Sequence, residues 1–157
     1  MKMNFLHKLI CTGMGLGLIP LAPGTFGALG GFVSGYFIKH YSSQPDIYIL
    51  ALIIFFTLIG VYSSNKIIPE WGKDPSRVVI DEVVGMWISM LFIPNNILFM
   101  LLAFVLFRLF DIYKPFFIRK FEAFPQGWGI MLDDVAAGVF ANVTLQLFLI
   151  IKTQFMW

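Results

Sequence analysis

The amino-acid sequence predicts an all-α membrane protein: a polytopic helical bundle that contains a helical hairpin and carries its active site on the cytoplasmic face. Hydrophobic residues make up 59% of the 157 positions and charged residues 13%. The mean hydropathy of +0.83 lies well away from the mixture found in soluble domains. Residues 9–38, 47–65, 83–107 and 135–151 contain no Asp, Glu, Lys or Arg, and a membrane-crossing helix needs about 20 apolar residues. Carboxylates collect at the ends of these stretches. Asp81 with Glu82, Asp111, and Asp133 with Asp134 hold five of the nine Asp and Glu residues. A carboxylate set against a low-dielectric surrounding costs free energy, so these groups are expected to be paired, metal-bound or functional.

The length suits one domain covering residues 1–157. Lys2 and Lys8 precede an apolar run, as in a secretion signal, but no small-x-small cleavage pattern follows. The segment is therefore expected to stay in the mature chain. The first stretch is rich in Gly and Pro, which predicts a broken or partly re-entrant path up to about residue 25. From Phe26 onward it reads as a helix with Gly27, Gly31 and Gly35 spaced four apart. That spacing admits another helix at close range, either within the chain or from a second copy in a homo-oligomer. Residues 47–62 form the cleanest span. In 83–107, Pro94-Asn95-Asn96 is a turn signal near the middle, and each half is short for a full crossing. A helical hairpin, shallow or tilted, follows from that. Residues 135–151 complete the set, with Asn142, Thr144 and Gln146 making it the most polar.

Charge tests this topology. With the N-terminus inside, the chain crosses outward by about residue 38 and returns through 47–62. It then inserts the hairpin and leaves through 135–151. All Lys and Arg residues except Lys39 and Lys152 then fall on the inner side, as the positive-inside rule requires. Every acidic residue except Asp46 falls there too, so the three acidic clusters meet on one face.

Composition excludes several classes. A net charge of +2 without a Lys/Arg run gives no footprint for nucleic acid. A single cysteine, Cys11, excludes an intramolecular disulfide and a cysteine-cage zinc site, and is read as a small buried apolar residue. His7 and His40 lie far from the acidic clusters in sequence and are not expected to be ligands.

Arg108, Asp111 and Lys114 are three apart and share a helix face. They could form a plain ion-pair ladder or an anion site. Asp81 is followed four residues later by Gly85, and Asp134 by Gly138. Each glycine leaves room beside its carboxylate for a metal, water or substrate, or else for a packed helix. Carboxylates for a divalent cation, with cations for an anion, are the equipment of phosphate chemistry.

Three runs place the chain more closely. They are Val79-Ile80-Asp81-Glu82-Val83-Val84-Gly85-Met86-Trp87, Phe107-Arg108-Leu109-Phe110-Asp111-Ile112-Tyr113-Lys114-Pro115, and Gly129-Ile130-Met131-Leu132-Asp133-Asp134-Val135-Ala136-Ala137-Gly138. Together with Gly15-Leu16-Gly17, Pro20 and Pro23-Gly24-Thr25-Phe26-Gly27, they closely resemble the phosphatidylglycerophosphatase A family, in order and over nearly the whole chain. Tyr113 departs from the usual pattern without consequence for the chemistry. The resemblance implies an all-α bacterial enzyme. It would be a Mg²⁺-dependent lipid phosphatase that removes the terminal phosphate of phosphatidylglycerophosphate to give phosphatidylglycerol during phospholipid biosynthesis.

Roles then follow from charge and geometry. Asp81, Glu82, Asp133 and Asp134 are the expected Mg²⁺ ligands. Asp81, Asp134 and Asp111 are the expected catalytic carboxylates, with Asp111 a ligand or a water-activating base. Arg108 and Lys114 would hold phosphoryl oxygens, and Thr25 or the backbone around it could join them. Water activated by the metal is the expected nucleophile, with an aspartyl-phosphate route left open. A divalent-cation carrier would want its acidic groups at mid-membrane rather than at one interface beside Arg and Lys. A CDP-alcohol transferase would show Asp-Gly and Ala-Arg elements in an order absent from this sequence.

Overall fold

The computed structural model describes residues 2–72 and 75–155. Among the described residues it contains seven α-helices, two short 3₁₀ turns and no strand. The helices are α1 (Lys2–Cys11), α2 (Pro23–Tyr41), α3 (Pro45–Trp71), α4 (Ile80–Ser89), α5 (Ile97–Tyr113), α6 (Phe116–Arg119) and α7 (Gly127–Phe155). The all-helical expectation holds. α3 and α7 are long and apolar enough to cross a membrane. At 1.5 Å per residue both exceed the roughly 30 Å of a bilayer's hydrocarbon core.

The break expected in the first stretch lies between α1 and α2, where Gly13, Met14 and Gly15 have φ of 55°, 59° and 100°. Three consecutive left-handed residues cannot continue a helix. α2 begins at Pro23, a favoured first helical position. α1 lies across the last turns of α3, joined by His7 Nδ1 with Ser63 Oγ at 3.1 Å and by the Lys8–Glu70 ion pair. Cys11 is fully buried there, as expected, 3.8 Å from Ser64.

The hairpin is present, and α4 explains how so short a helix survives. Every residue from Val83 to Met90 is buried. α4 is the centre of the bundle, with α2, α3, α5 and α7 packed around it. Its far end is closed by polar groups rather than by solvent. Asn142 Nδ2 donates to the carbonyls of Leu91 at 2.7 Å and Ser89 at 3.2 Å. Lys39, its side chain 2% exposed, bridges Asp46 at 2.9 Å and the Ile93 carbonyl at 2.8 Å. These bonds satisfy carbonyls orphaned at a helix end. They also fix the turn before α5 beside the loop between α2 and α3, so α4 and α5 both open toward the end where α2 begins.

Glycines set the helix spacings. A Cβ on Gly27 would lie 2.7 Å from Val79 Cβ, and one on Gly31 would lie 2.8 Å from the Val83 carbonyl oxygen. A Cβ on Gly35 would meet Met90 Sδ at 3.1 Å. Of the two uses the sequence leaves open, the Gly27, Gly31 and Gly35 face takes the internal one: it is filled by the chain's own α4 and the residues that flank it, Val79 and Met90, and not by a second copy. The α4–α7 crossing is tighter still, with a Cβ on Gly138 placed 2.4 Å from the Gly85 carbonyl oxygen. The outer faces of α3, α5 and α7 carry exposed large apolar side chains, among them Ile54, Leu58, Leu101, Val105, Phe148 and Ile151.

Candidate active site

The crossing of α4 and α7 determines the site. Asp81 lies one turn before Gly85, and Asp134 one turn before Gly138. Bringing the two glycines into backbone contact brings the two aspartates together. Each of Asp81, Glu82 and Asp134 offers a carboxylate oxygen within 4.8 Å of the others. The glycines therefore serve helix packing, and the carboxylate cluster is a consequence of it.

A cavity of about 470 Å³ opens onto these groups, a size usual for small-ligand sites. Its walls come from five parts of the chain: Pro23 and Gly24 of α2, the segment 75–78, Asp81 and Glu82 of α4, Asp111 and Lys114 at the end of α5, and the stretch from Phe124 to Asp134. All five carboxylates singled out from the sequence line it. Lys114 lines it as well, with Nζ 2.6 Å from Asp133 Oδ2. Asp133 is thus drawn toward Lys114 and is not a member of the three-carboxylate cluster.

Arg108 and Thr25 stand behind the wall rather than on it. Arg108 Nη1 pairs with Asp111, and Nη2 donates to Thr25 Oγ1 at 3.3 Å. The guanidinium ties α5 to the start of α2 and lies beside Glu82, whose charge it offsets. The Arg108–Asp111 pair follows from their spacing on one helix, whereas the link to Thr25 requires the fold.

Five carboxylates facing two cations leave the cavity acidic. Burial pushes the Asp81 carboxyl well above the usual carboxylate range, and the neighbouring Glu82 charge adds to the shift. Burial raises Glu82 too, partly offset by a hydrogen bond with Asp81. Asp81 Oδ1 and Glu82 Oε2 are buried without a hydrogen-bond partner among the described residues. Buried carboxylate oxygens without partners, in a cluster spanning no more than 4.8 Å, fit a cation between them. The oxygen-only donor set and the negative charge fit a hard divalent ion such as Mg²⁺.

Gly24 belongs to the motif expected to offer backbone groups, and what the fold shows of it is clearance: a Cβ there would sit 2.4 Å from Glu82 Oε1, so a side chain at this position would press on the cluster. The wall residues Ser76, Phe124 and Gln126 had no site signal in the sequence. They belong to connecting segments, where no periodicity points to a site.

Comparison with known proteins agrees with these features. The family model for phosphatidylglycerophosphatase A matches residues 9–149. A Bacteroides thetaiotaomicron protein named "Putative phosphatidylinositol-3-phosphatase" is 46% identical over 90% of this chain and 92% of its own length. Proteins named phosphatidylglycerophosphatase A from Haemophilus influenzae and Escherichia coli are 39% and 35% identical, over 91% and 88% of this chain and 88% and 81% of theirs. No solved structure matches.

Proposed function

The chain belongs to the phosphatidylglycerophosphatase A family of phosphatases, and we propose that it hydrolyses the terminal phosphate of phosphatidylglycerophosphate, yielding phosphatidylglycerol and inorganic phosphate in phospholipid biosynthesis. The observation that carries this reading is the meeting of Asp81, Glu82 and Asp134 within 4.8 Å, in a cavity that Lys114 also lines. Those three carboxylates would hold Mg²⁺. The ion would supply charge neutralisation at the phosphoryl oxygens and a more acidic water.

The chain's own residues do the rest. Lys114 meets the phosphoryl oxygens as a point charge, while Asp133 keeps its ammonium group directed into the cavity. Arg108 holds Asp111 in place and offsets the charge of Glu82. Asp111 accepts the proton of the attacking water. Gly24 keeps the approach to Glu82 open.

The setting of this chemistry is a bacterial cytoplasmic membrane, crossed several times, with the cavity on the inner side. Two apolar helices and exposed apolar faces support embedding. Apart from Lys39 and Lys152, the Lys and Arg residues fall in the segments that this topology puts inside, which supports the inner placement.

The name of the Bacteroides relative favours a second reading of the substrate alone: a lipid phosphomonoester carried on inositol rather than glycerol. The reaction and the site are the same in both. Detergent-purified protein assayed on both lipids, with and without EDTA, tests the assignment. EDTA-sensitive phosphate release from phosphatidylglycerophosphate supports the first reading. Release from phosphatidylinositol 3-phosphate alone replaces it with the second, and EDTA-insensitive release overturns the metal site.

A further inference from the structure

Besides its charged residues the cavity is lined by neutral ones, among them Pro75, Ser76, Val78, Phe124, Gln126 and Ile130. Ser76 and Gln126 are the members of that group whose side chains can both donate and accept a hydrogen bond. Among the described residues neither side chain bonds to another protein group. Both line the cavity and are exposed, so both are open to whatever enters it.

Gln126 also sits where its residue type is poorly suited. Its φ is 57°, in the left-handed region that favours glycine or asparagine. Its carbonyl accepts from Gly129 N at 3.1 Å in the turn that starts α7. Glycine would make the same turn with less strain and would leave this wall bare. A strained residue on a cavity wall is a reason to ask what its side chain does.

In the reading above, the charged residues are assigned to a cation and a phosphoryl group. What a neutral amide and a hydroxyl suit is the alcohol that carries the phosphate. We propose that Gln126, assisted by Ser76, determines head-group specificity by hydrogen-bonding a free hydroxyl of the polyol that bears the scissile phosphate. This rests on the lipid-phosphatase reading above. It adds the part of the substrate that the charged groups cannot distinguish.

The test compares kcat/KM for phosphatidylglycerophosphate with that for its deoxy analogue, in which the hydroxyl on the middle carbon of the terminal glycerol is replaced by hydrogen. The native protein should prefer the hydroxylated lipid by about fivefold to tenfold, the worth of one neutral hydrogen bond at a part-exposed site. Gln126→Gly should abolish that preference while leaving turnover of the deoxy lipid unchanged. Its Tm should hold or rise, because glycine relaxes the turn. Gln126→Asn tolerates the same backbone and keeps an amide, so it should retain part of the preference. An equal preference in the native protein and Gln126→Gly overturns the proposal, as does a native protein with no preference. If the native protein hydrolyses neither lipid, the phosphatase reading fails first and the proposal falls with it.

Discussion

Gly138→Ala tests the claim that a helix crossing assembles the site. The added Cβ would lie 2.4 Å from the Gly85 carbonyl oxygen and 3.1 Å from both the Gly85 carbonyl carbon and Cα. An ordinary carbon–oxygen contact is about 3.3 Å or more, so α4 and α7 must separate by about 1 Å. All three obstructing atoms are backbone, so no rotamer change can relieve the clash. Overpacking of this kind costs about 1–3 kcal/mol of stability. The functional cost is larger, because Asp81 and Asp134 sit one turn from the glycines and move apart with them. A displacement of about 1 Å at a catalytic constellation is worth roughly 100-fold in rate. The assay is Mg²⁺-dependent phosphate release as a function of Mg²⁺ concentration, with helicity and Tm measured alongside. Gly138→Ala should stay helical, require more Mg²⁺ and lose most of its turnover. Gly60→Ala is the control: its Cβ would meet the flexible end of Met131, with Sδ at 2.8 Å, and that side chain can swing away. A Gly138→Ala protein with normal turnover and an unchanged Mg²⁺ midpoint would refute the reasoning.

Asp81→Asn and Asp134→Asn each keep shape and remove a charge from the cluster, so each should lower Mg²⁺-dependent turnover by more than about 100-fold without loss of membrane insertion; near-native turnover in both removes the metal site. Arg108→Lys keeps the charge but cannot hold Asp111 and Thr25 together, and should cost about 2 kcal/mol, roughly thirtyfold in kcat/KM. A silent Arg108→Lys would reduce the pair to an ordinary surface contact. Ser76→Cys and Gln126→Cys line one cavity and should both label only when a thiol reagent reaches the cytoplasm, whereas Ser43→Cys, at the opposite end, should label from outside; labelling of the first two from opposite sides would break the bundle as described. Native Cys11 should stay unlabelled at neutral pH, because burial pushes its thiol up to about 11 despite the Ser64 contact, and rapid alkylation of the folded protein would contradict its place under α1.

The helices are legible where one physical signal dominates. Charge-free stretches mark α2, α3, α5 and α7, and Pro94-Asn95-Asn96 marks the reversal before α5. Boundaries slip where the signal changes type. α3 runs on to Trp71, past Lys66, and α4 starts at Ile80 so that Asp81 and Glu82 lie in its first turn. A charge ends an apolar stretch without ending a helix, and acidic side chains favour a helix start. Burial is harder to see. α4 looks like a short membrane segment in the sequence, yet in the fold it is a buried central helix, because four other helices enclose it.

The candidate site divides along the same line. Carboxylates in an apolar sequence are conspicuous because their desolvation is costly, so Asp81, Glu82, Asp111, Asp133 and Asp134 stand out from the amino-acid pattern alone. Their division of labour does not. Lys114 separates Asp133 from the cluster, and Thr25 holds Arg108 behind the wall, and both are contacts between helices distant in sequence. Gly85 and Gly138 leave two readings open, room for a ligand or room for a helix, and the 2.4 Å approach of backbone to backbone decides for the helix. That decision changes what an aspartate–glycine spacing of four means in this chain. The glycine is not the vacancy beside the carboxylate. It is the hinge point of a crossing that carries the carboxylate to its partners, and so the geometry of the charged site is set by residues that have no charge.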